Sequence, residues 1–239
     1  PPASITHEWQ VVDDIRDHML YFLENHDEQR IASDFFCGSA MKAIPAAAMS
    51  LFFQKNPFML YSGQEFGEMG MDKEGFSGRD GRTTIFDYWS PETLTHAYQE
   101  GEEEAYTAEQ KYLAATYRQL LRLANEEKAL REGDTFDLMY VNPGSEGFDP
   151  RTNFAFLRKK DNEVMLIVLN FAQEARQLQV CIPGHAFDFF QITEEEVLVT
   201  ELFSGGKKKI ELKRDGVFPI LMDANGVRIY KFNVKMEES

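Results

Sequence analysis

The pattern of hydrophobic and polar positions changes near Gly133, where a helical period gives way to strict alternation. Before that point, residues 5–18 and 107–130 carry apolar side chains at every third or fourth position, which predicts two amphipathic helices. A third helix is predicted over Gly38–Gln54, a segment rich in Ala and Met. Pro45 within it predicts either a kink or a restart of the helix, because proline cannot donate a backbone hydrogen bond.

Two short apolar runs, Met19–Leu23 and Pro57–Tyr61, alternate with these helices. Runs that are apolar at every position are typical of strands buried on both faces. The order of helix, strand, helix and strand is half of an alternating βα pattern and indicates parallel strands. Residues 62–106 then form a long glycine-rich connection after the second strand. Connections of this length are usually functional or disordered.

Beyond Gly133, eight segments alternate apolar and polar residues and are separated by turn signals. The predicted strands are Asp134–Val141, Thr152–Arg158, Val164–Phe171, Arg176–Ile182, Val197–Phe203, Lys209–Lys213, Val217–Met222 and Val227–Val234. Asn225-Gly226 is the strongest short signal for a β-hairpin, between the last two strands. Short strands at this spacing predict an antiparallel sandwich, with Lys207–Lys209 at an exposed edge.

Composition narrows the classes of partner. The 239 residues carry a net charge of −15, which argues against nucleic acid or an anionic membrane surface and leaves neutral ligands open. Cys37 and Cys181 do not indicate a disulfide framework. No apolar run is long enough to span a membrane, so we expect a soluble protein. No signal peptide is visible at Pro1, the chain is expected to begin inside a longer protein, and its localisation stays open.

The densest group of reactive side chains follows the first predicted strand. Glu24 and then Asn25, His26 and Asp27 come after it, and the carboxyl ends of parallel strands are where barrel enzymes place their chemistry. A His-Asp pair alone is more often part of a turn, because Asn and Asp are common turn residues. We interpret Glu28 and Arg30 as surface groups or as supports for Asn25, His26 and Asp27.

Three stretches, in chain order, resemble the alpha-amylase superfamily, the family 13 glycoside hydrolases. Phe22–Arg30 resembles the fourth signature region, which closes the seventh strand of a (β/α)8 barrel. Pro57–Gly67 resembles the eighth strand and its Gly-x-Glu loop. Asp80–Arg82 and Phe86–Trp89 resemble the segment that follows in many bacterial members.

The resemblance implies a fold and a set of roles. Residues 1–130 would be the last two βα units of the (β/α)8 barrel, and residues 131–239 the antiparallel β-sandwich that follows it. Asp27 would be the third catalytic carboxylate of the family, which stabilises the transition state. His26 and Asn25 would bind the substrate. A neutral imidazole suits that role because it can donate and accept a hydrogen bond at once.

The nucleophile and the general acid/base of a retaining glycosidase are not found. The chain has no Gly-x-Arg-x-Asp strand end and no matching strand-end Glu. Gly147–Arg151 is only superficially similar, since it lies in a turn of the predicted β-domain. The prediction is therefore part of an α-glucan-active hydrolase that is inactive alone, with no metal and no cofactor.

Two alternatives from other functional classes stay open. The chain could be a carbohydrate-binding module that holds α-glucan by stacking, with Phe86, Tyr88 and Trp89 as candidates. It could also be a structural module that only supports a barrel. Because barrel strands without their neighbours expose apolar surface, we also expect two copies to associate through Met19–Leu23, Pro57–Tyr61 and the helix at 39–54.

Overall fold

The computed structural model describes residues 1–72, 78–84, 90–98 and 106–235. The chain divides into two compact units. The first unit comprises Pro1–Met19, Phe52–Lys55 and Ala124–Ser239, and the second comprises Leu20–Leu51 and Asn56–Leu123. The domain boundary predicted between residues 130 and 131 stays a prediction.

The second unit contains a short parallel pair of strands. β1 (Tyr21–Phe22) pairs with β2 (Phe58–Met59), with Tyr21 opposite Phe58. The strands are shorter than the apolar runs that predicted them, but their parallel direction agrees with the alternation of helix and strand. A turn of 3-10 helix at Ala40–Ala43 leads into α2 (Ile44–Phe52). Pro45 therefore lies in the first turn of α2, where no intrahelical N–H bond is lost, and it marks a restart.

Two more helices belong to this part of the chain. α3 (Glu92–Tyr98) lies inside the connection predicted to be irregular. α4 (Ala108–Glu126) begins with a reciprocal cap, in which the Gln110 amide donates to Thr107 Oγ1 and the Thr107 amide donates to Gln110 Oε1. The predicted single helix to residue 130 is in fact two, because α5 (Lys128–Glu132) starts after a break.

The first unit is mainly antiparallel sheet. It begins with α1 (Ala3–Val11) and a 3-10 turn at Arg16–His18, so the helix predicted over 5–18 is interrupted. The strands are β3 (Asp134–Asp137), β4 (Asn153–Lys160), β5 (Glu163–Asn170), β6 (Arg176–Ile182), β7 (Glu195–Glu201), β8 (Lys207–Leu212), β9 (Gly216–Met222) and β10 (Val227–Asn233). Six of them form one sheet in the order β3-β4-β5-β10-β7-β8, and β6 pairs with β9 in a second sheet.

Every pairing in these two sheets is antiparallel, which confirms the predicted strand direction. β8 lies at the sheet edge with Lys207–Lys209 exposed, as predicted. The hairpin predicted at Asn225-Gly226 is wrong, because β9 and β10 lie in different sheets. The turn bonds instead to the segment after β5: the Asn225 amide donates to Ala172 O at 2.8 Å, and the Asn170 amide donates to Gly226 O at 2.9 Å.

A helix that the sequence did not predict, α6 (Gly184–Phe190), follows β6 and buries Ala186, Phe187 and Phe190. The two cysteines are both free, in agreement with the prediction. Within the part of the chain that the structure describes, no helix combines the length and the apolar character needed to cross a membrane.

The core of the first unit is built around β4 and β5, whose residues are almost all buried. Two of the buried residues on β4 are charged, Arg158 and Lys159, and Arg158 has no exposed surface. Its Nη1 donates to Phe52 O at 2.7 Å, and its Nη2 donates to Leu130 O at 3.0 Å and Gly133 O at 2.7 Å. This guanidinium thus joins Phe52 and the C-terminal end of α5 to the central sheet.

Gly147 gives a test of backbone packing in this unit. It has a φ of +74°, and a Cβ built there would lie 2.0 Å from Gln177 O. We expect Gly147→Ala to lower the free energy of unfolding by about 2 kcal/mol or more, because left-handed backbone costs about 1–2 kcal/mol for an L-residue and the backbone must also shift. Urea denaturation monitored by circular dichroism measures the loss.

Two glycines provide matched controls for that substitution. Gly205 has a φ of +72° but open space around its Cβ position, whereas Gly144 has open space and no left-handed backbone. The expected order of destabilisation on replacement by Ala is Gly147, then Gly205, then Gly144. If the substitutions at Gly147 and Gly205 lower the free energy of unfolding equally, the backbone near Gln177 moves away from the new Cβ at position 147 without loss of stability.

Candidate functional site

The polar segment after β1 is organised by a turn. Asn25 Oδ1 accepts hydrogen bonds from the amides of Asp27 and Glu28, both at 2.8 Å. An Asn side chain that bonds to the backbone two and three residues ahead mimics a backbone turn. The Asn25 side chain is therefore engaged inside the segment, while the side chains of His26 and Asp27 project away from it.

His26 and Asp27 form an exposed polar pair. His26 Nε2 lies 3.5 Å from Asp27 Oδ2, and the two side chains are 49% and 76% exposed. A carboxylate accepts hydrogen bonds from hydroxyl groups, and an imidazole can both donate and accept them. Side by side at the end of a parallel strand, the two groups can bind a polyhydroxylated molecule.

A buried ion pair lies under the turn. Glu24 and Arg30 have side chains that are each 1% exposed, and Arg30 Nη1 lies 2.9 Å from Glu24 Oε2. Glu24 Oε1 accepts a hydrogen bond from the Ile31 amide at 2.8 Å. Burial raises the pKa of Glu24, the charge of Arg30 opposes that shift, and the nearby carboxylate of Glu68 adds to it.

Arg30 also connects this segment to two others. Its Nη2 donates to Ser62 O at 2.8 Å, just beyond β2, and its Nε donates to Thr83 Oγ1 at 2.9 Å. The guanidinium carbon lies 4.2 Å from the centroid of the Tyr61 ring, close enough for a cation–π contact. The carboxyl ends of β1 and β2 are therefore held together by one buried side chain.

The loop after β2 carries further polar groups. Glu65 Oε2 accepts a hydrogen bond from the Gly63 amide at 3.1 Å, and Gln64 Nε2 donates to the Tyr117 hydroxyl at 2.9 Å. Burial raises the pKa of Tyr117, so this phenol stays protonated at neutral pH. Glu68 Oε1 accepts a hydrogen bond from the Gly70 amide at 2.8 Å. These contacts fix the loop rather than present reactive groups to solvent.

Phe86, Tyr88 and Trp89 lie outside the described residues. Across residues 1–72, 78–84, 90–98 and 106–235, no three His, Cys, Asp or Glu side chains are grouped so that they could hold a metal ion. Gly147–Arg151 lies in the first unit, where Asp149 pairs with Arg151 at 2.9 Å.

Comparison with descriptions of known protein families finds no match. A curated protein, the alpha-amylase SusG of Bacteroides thetaiotaomicron, is 31% identical over 163 residues, which is 65% of this chain and 23% of SusG. The alpha-amylase of H. orenii has a similar fold, with a TM-score of 0.59 and 21% identity over 96% of this chain and 44% of that structure. The chain is therefore similar to alpha-amylases in sequence over 163 residues and in fold over nearly all of its length.

Other solved structures share the fold. That of Geobacillus thermoleovorans, solved with acarbose, has a TM-score of 0.61 and 16% identity, and covers 97% of this chain and 43% of that structure. AmyP, solved with maltose, has a TM-score of 0.62 and 16% identity, with 94% and 43% covered. The chain thus spans about a quarter of SusG and less than half of each solved alpha-amylase.

The resemblance of this chain to the alpha-amylase superfamily is therefore confirmed, and it is consistent with a C-terminal part of such a protein. The roles assigned to Asn25, His26 and Asp27 stay predictions. The sequence reasoning missed Glu24 and placed Arg30 only loosely, as a support or a surface group. The signal in the sequence was a pair of opposite charges, Glu24 and Arg30, which lie six positions apart on either side of the polar segment.

Proposed function

We propose that this chain contributes part of the active site of an α-glucan-active glycoside hydrolase that works with retention. Asp27 stabilises the positively charged, oxocarbenium-like transition state, and His26 binds a hydroxyl group of the same sugar. Asn25 shapes the turn that presents both. The observation that carries the proposal is the exposed His26–Asp27 pair, held on a turn at the carboxyl end of a parallel strand.

The proposal includes the architecture around the site. β1 and β2 would be neighbouring strands of a (β/α)8 barrel, which their parallel pairing supports. The antiparallel strands of the first unit would form the β-sandwich after the barrel, which their two sheets support. Leu20 and Phe22 are 48% and 42% exposed at β1. That exposure supports the predicted association of two copies of the chain, which stays a prediction.

The proposed substrate is an α-glucan. The solved relatives hold maltose, maltotriose and acarbose, and the net charge of −15 does not repel neutral sugars. The test uses the complete enzyme that contains this chain, incubated with soluble starch and, separately, with a β-linked glucan. We expect hydrolysis of starch alone, with the α-anomer as the first product in proton NMR spectra. A β-anomer as first product would exclude the retaining mechanism.

The 239-residue chain by itself is expected to hydrolyse nothing. A retaining reaction needs a nucleophile and an acid/base about 5 Å apart, and Asp27 only assists such a pair. The purified chain is incubated with maltooligosaccharides and a chromogenic α-glucoside, and reducing ends are followed over time. Turnover that copurifies with the chain through repeated chromatography would show that both groups are present after all.

A non-catalytic carbohydrate-binding function is the second candidate. It is favoured by an aromatic surface on the first unit, where Tyr140 and Phe189 are 60% and 53% exposed. Their rings lie 6.2 and 5.5 Å from that of Phe136, and such faces can stack on sugar rings. Affinity electrophoresis of the chain in amylose-containing gels tests it, since retardation lost in Tyr140→Ala and Phe189→Ala would support this function.

A further inference from the structure

The loop that carries His26 and Asp27 is closed at its base by one carboxylate. Glu24 precedes the loop, and both of its oxygens bond to residues that follow it: Oε2 to Arg30 Nη1 at 2.9 Å and Oε1 to the Ile31 amide at 2.8 Å. We propose that Glu24 is a positioning residue, whose carboxylate fixes the loop so that the His26–Asp27 pair meets the substrate in one geometry. This inference rests on the proposed function of that pair.

The closure is rigid because its partner is fixed on several sides. Arg30 is 1% exposed. Its side chain donates to Ser62 O and Thr83 Oγ1, and its own amide donates to Gly81 O at 2.6 Å. A loop tied to Arg30 is therefore tied to the end of β2 as well. A displacement of the carboxylate at Glu24 would change the position of the turn at Asn25 relative to the second strand.

The chemistry of the pair favours a positioning role over a purely stabilising one. Two buried charges lose their hydration, and replacing a buried ion pair with well-packed apolar residues is often neutral or stabilising. Here the ion pair joins the two ends of the segment that carries His26 and Asp27. Burial raises the pKa of Glu24, and the buried carboxylate of Glu68 adds to that shift. Apolar side chains in place of Glu24 and Arg30 would not hold the loop with His26 and Asp27 in a fixed position.

The first test is made in the complete enzyme. Glu24→Gln keeps an acceptor for the Ile31 amide but turns an N–H donor toward Arg30, so the closure loosens. We expect kcat/KM on maltooligosaccharides to fall about 100-fold, since a misplacement of about 1 Å can cost that much. The loss is expected in kcat, with KM changed little. A more mobile His26–Asp27 pair can still bind the substrate, but it stabilises the transition state less well.

A double variant separates positioning from folding. Glu24→Leu with Arg30→Met removes both buried charges, so that neither is left without its partner, and is expected to have a higher melting temperature than Arg30→Met alone. Its kcat is expected to stay low, because neither side chain ties the loop to Ile31 or Ser62. If kcat recovers together with the melting temperature, Glu24 acts only through stability and the proposal is wrong.

A second measurement on the 239-residue chain does not depend on activity. Asp27 and Glu28 donate their amides to Asn25 Oδ1, so their NMR order parameters report the loop. We expect values typical of rigid backbone, about 0.85, in the native chain and values below about 0.6 in Glu24→Gln. Amides of β5 should stay unchanged. Order parameters that remain high at Asp27 and Glu28 would overturn the proposal.

Failure of this inference can be told apart from failure of the proposed function. If Asp27→Asn leaves kcat normal in the complete enzyme, the function assigned to the loop is wrong. If Asp27→Asn is impaired while Glu24→Gln retains full kcat, the function stands and only the positioning role of Glu24 is wrong.

Discussion

Asp27→Asn in the complete enzyme is expected to lower kcat by about 10²–10³-fold, the effect of removing one preorganised group that stabilises charge in a transition state. The substitution keeps the shape of the side chain and removes its negative charge. A positive charge that develops on the sugar ring then loses a nearby carboxylate. KM is expected to change much less, because the ground-state sugar carries no charge.

The same substitution should leave folding almost unaffected. The Asp27 side chain is 76% exposed, and its neighbour at 3.5 Å is the half-exposed His26. Steady-state kinetics measure kcat, and the melting temperature of each purified variant shows that the enzyme is folded. A kcat close to normal for Asp27→Asn would remove this residue from the mechanism.

Glu28→Gln is the matched control for Asp27→Asn. Glu28 is exposed on the same turn, and its amide bonds to the same Asn25 oxygen. Its side chain is not expected to face the sugar, so neutralising it should leave kcat unchanged. Equal losses in the two variants would point to the net charge of the turn rather than to one placed carboxylate.

The alternation of apolar and polar residues predicted the strands well but not all of their partners. Each of the eight predicted C-terminal strands exists. A period of two marks the strands that bury one face, whereas β4 and β5 are buried on both faces. The pairing of β6 with β9 was not predictable in this way. It joins residues as far apart as Arg176 and Met222, and both strands alternate equally well with any antiparallel neighbour.

The candidate site was predicted in part, for a similar reason. Asn25, His26 and Asp27 were identified because they belong to a polar cluster at the end of an apolar strand. Glu24 was overlooked because glutamate is rarely fully buried unless it is paired. Its burial follows from the position of Arg30, which the chain brings back under the turn. Only the three-dimensional structure shows that return.

The largest expected effect on stability is that of Arg158→Met. Arg158 has no exposed surface, and it donates to carbonyl oxygens of Phe52, Leu130 and Gly133. Burial lowers the pKa of Arg158 to about 10, so the group is still charged at neutral pH and its hydrogen bonds are charge-assisted. Methionine fills much of the same volume but leaves the three buried oxygens without these donors.

Each unpaired buried group costs about 1–3 kcal/mol, so the loss on Arg158→Met is expected to reach about 3–5 kcal/mol. That is a large share of the roughly 5–15 kcal/mol by which a typical domain is stable. Urea denaturation of the 239-residue chain measures it. Arg158→Lys is expected to recover only part of the loss, because one ammonium group lacks the fork that reaches oxygens on two sides.

Arg151→Met is the control, because it shows how much stability is lost when an exposed arginine is replaced. The Arg151 side chain is 82% exposed and pairs with Asp149 on the surface, where ion pairs contribute little to stability. Arg151→Met should therefore hardly change the urea concentration at the denaturation midpoint, whereas Arg158→Met should lower it strongly. Similar midpoints for the two variants would mean that water replaces the guanidinium inside the protein. Phe52 and the C-terminal end of α5 would then be joined to the sheet by packing alone.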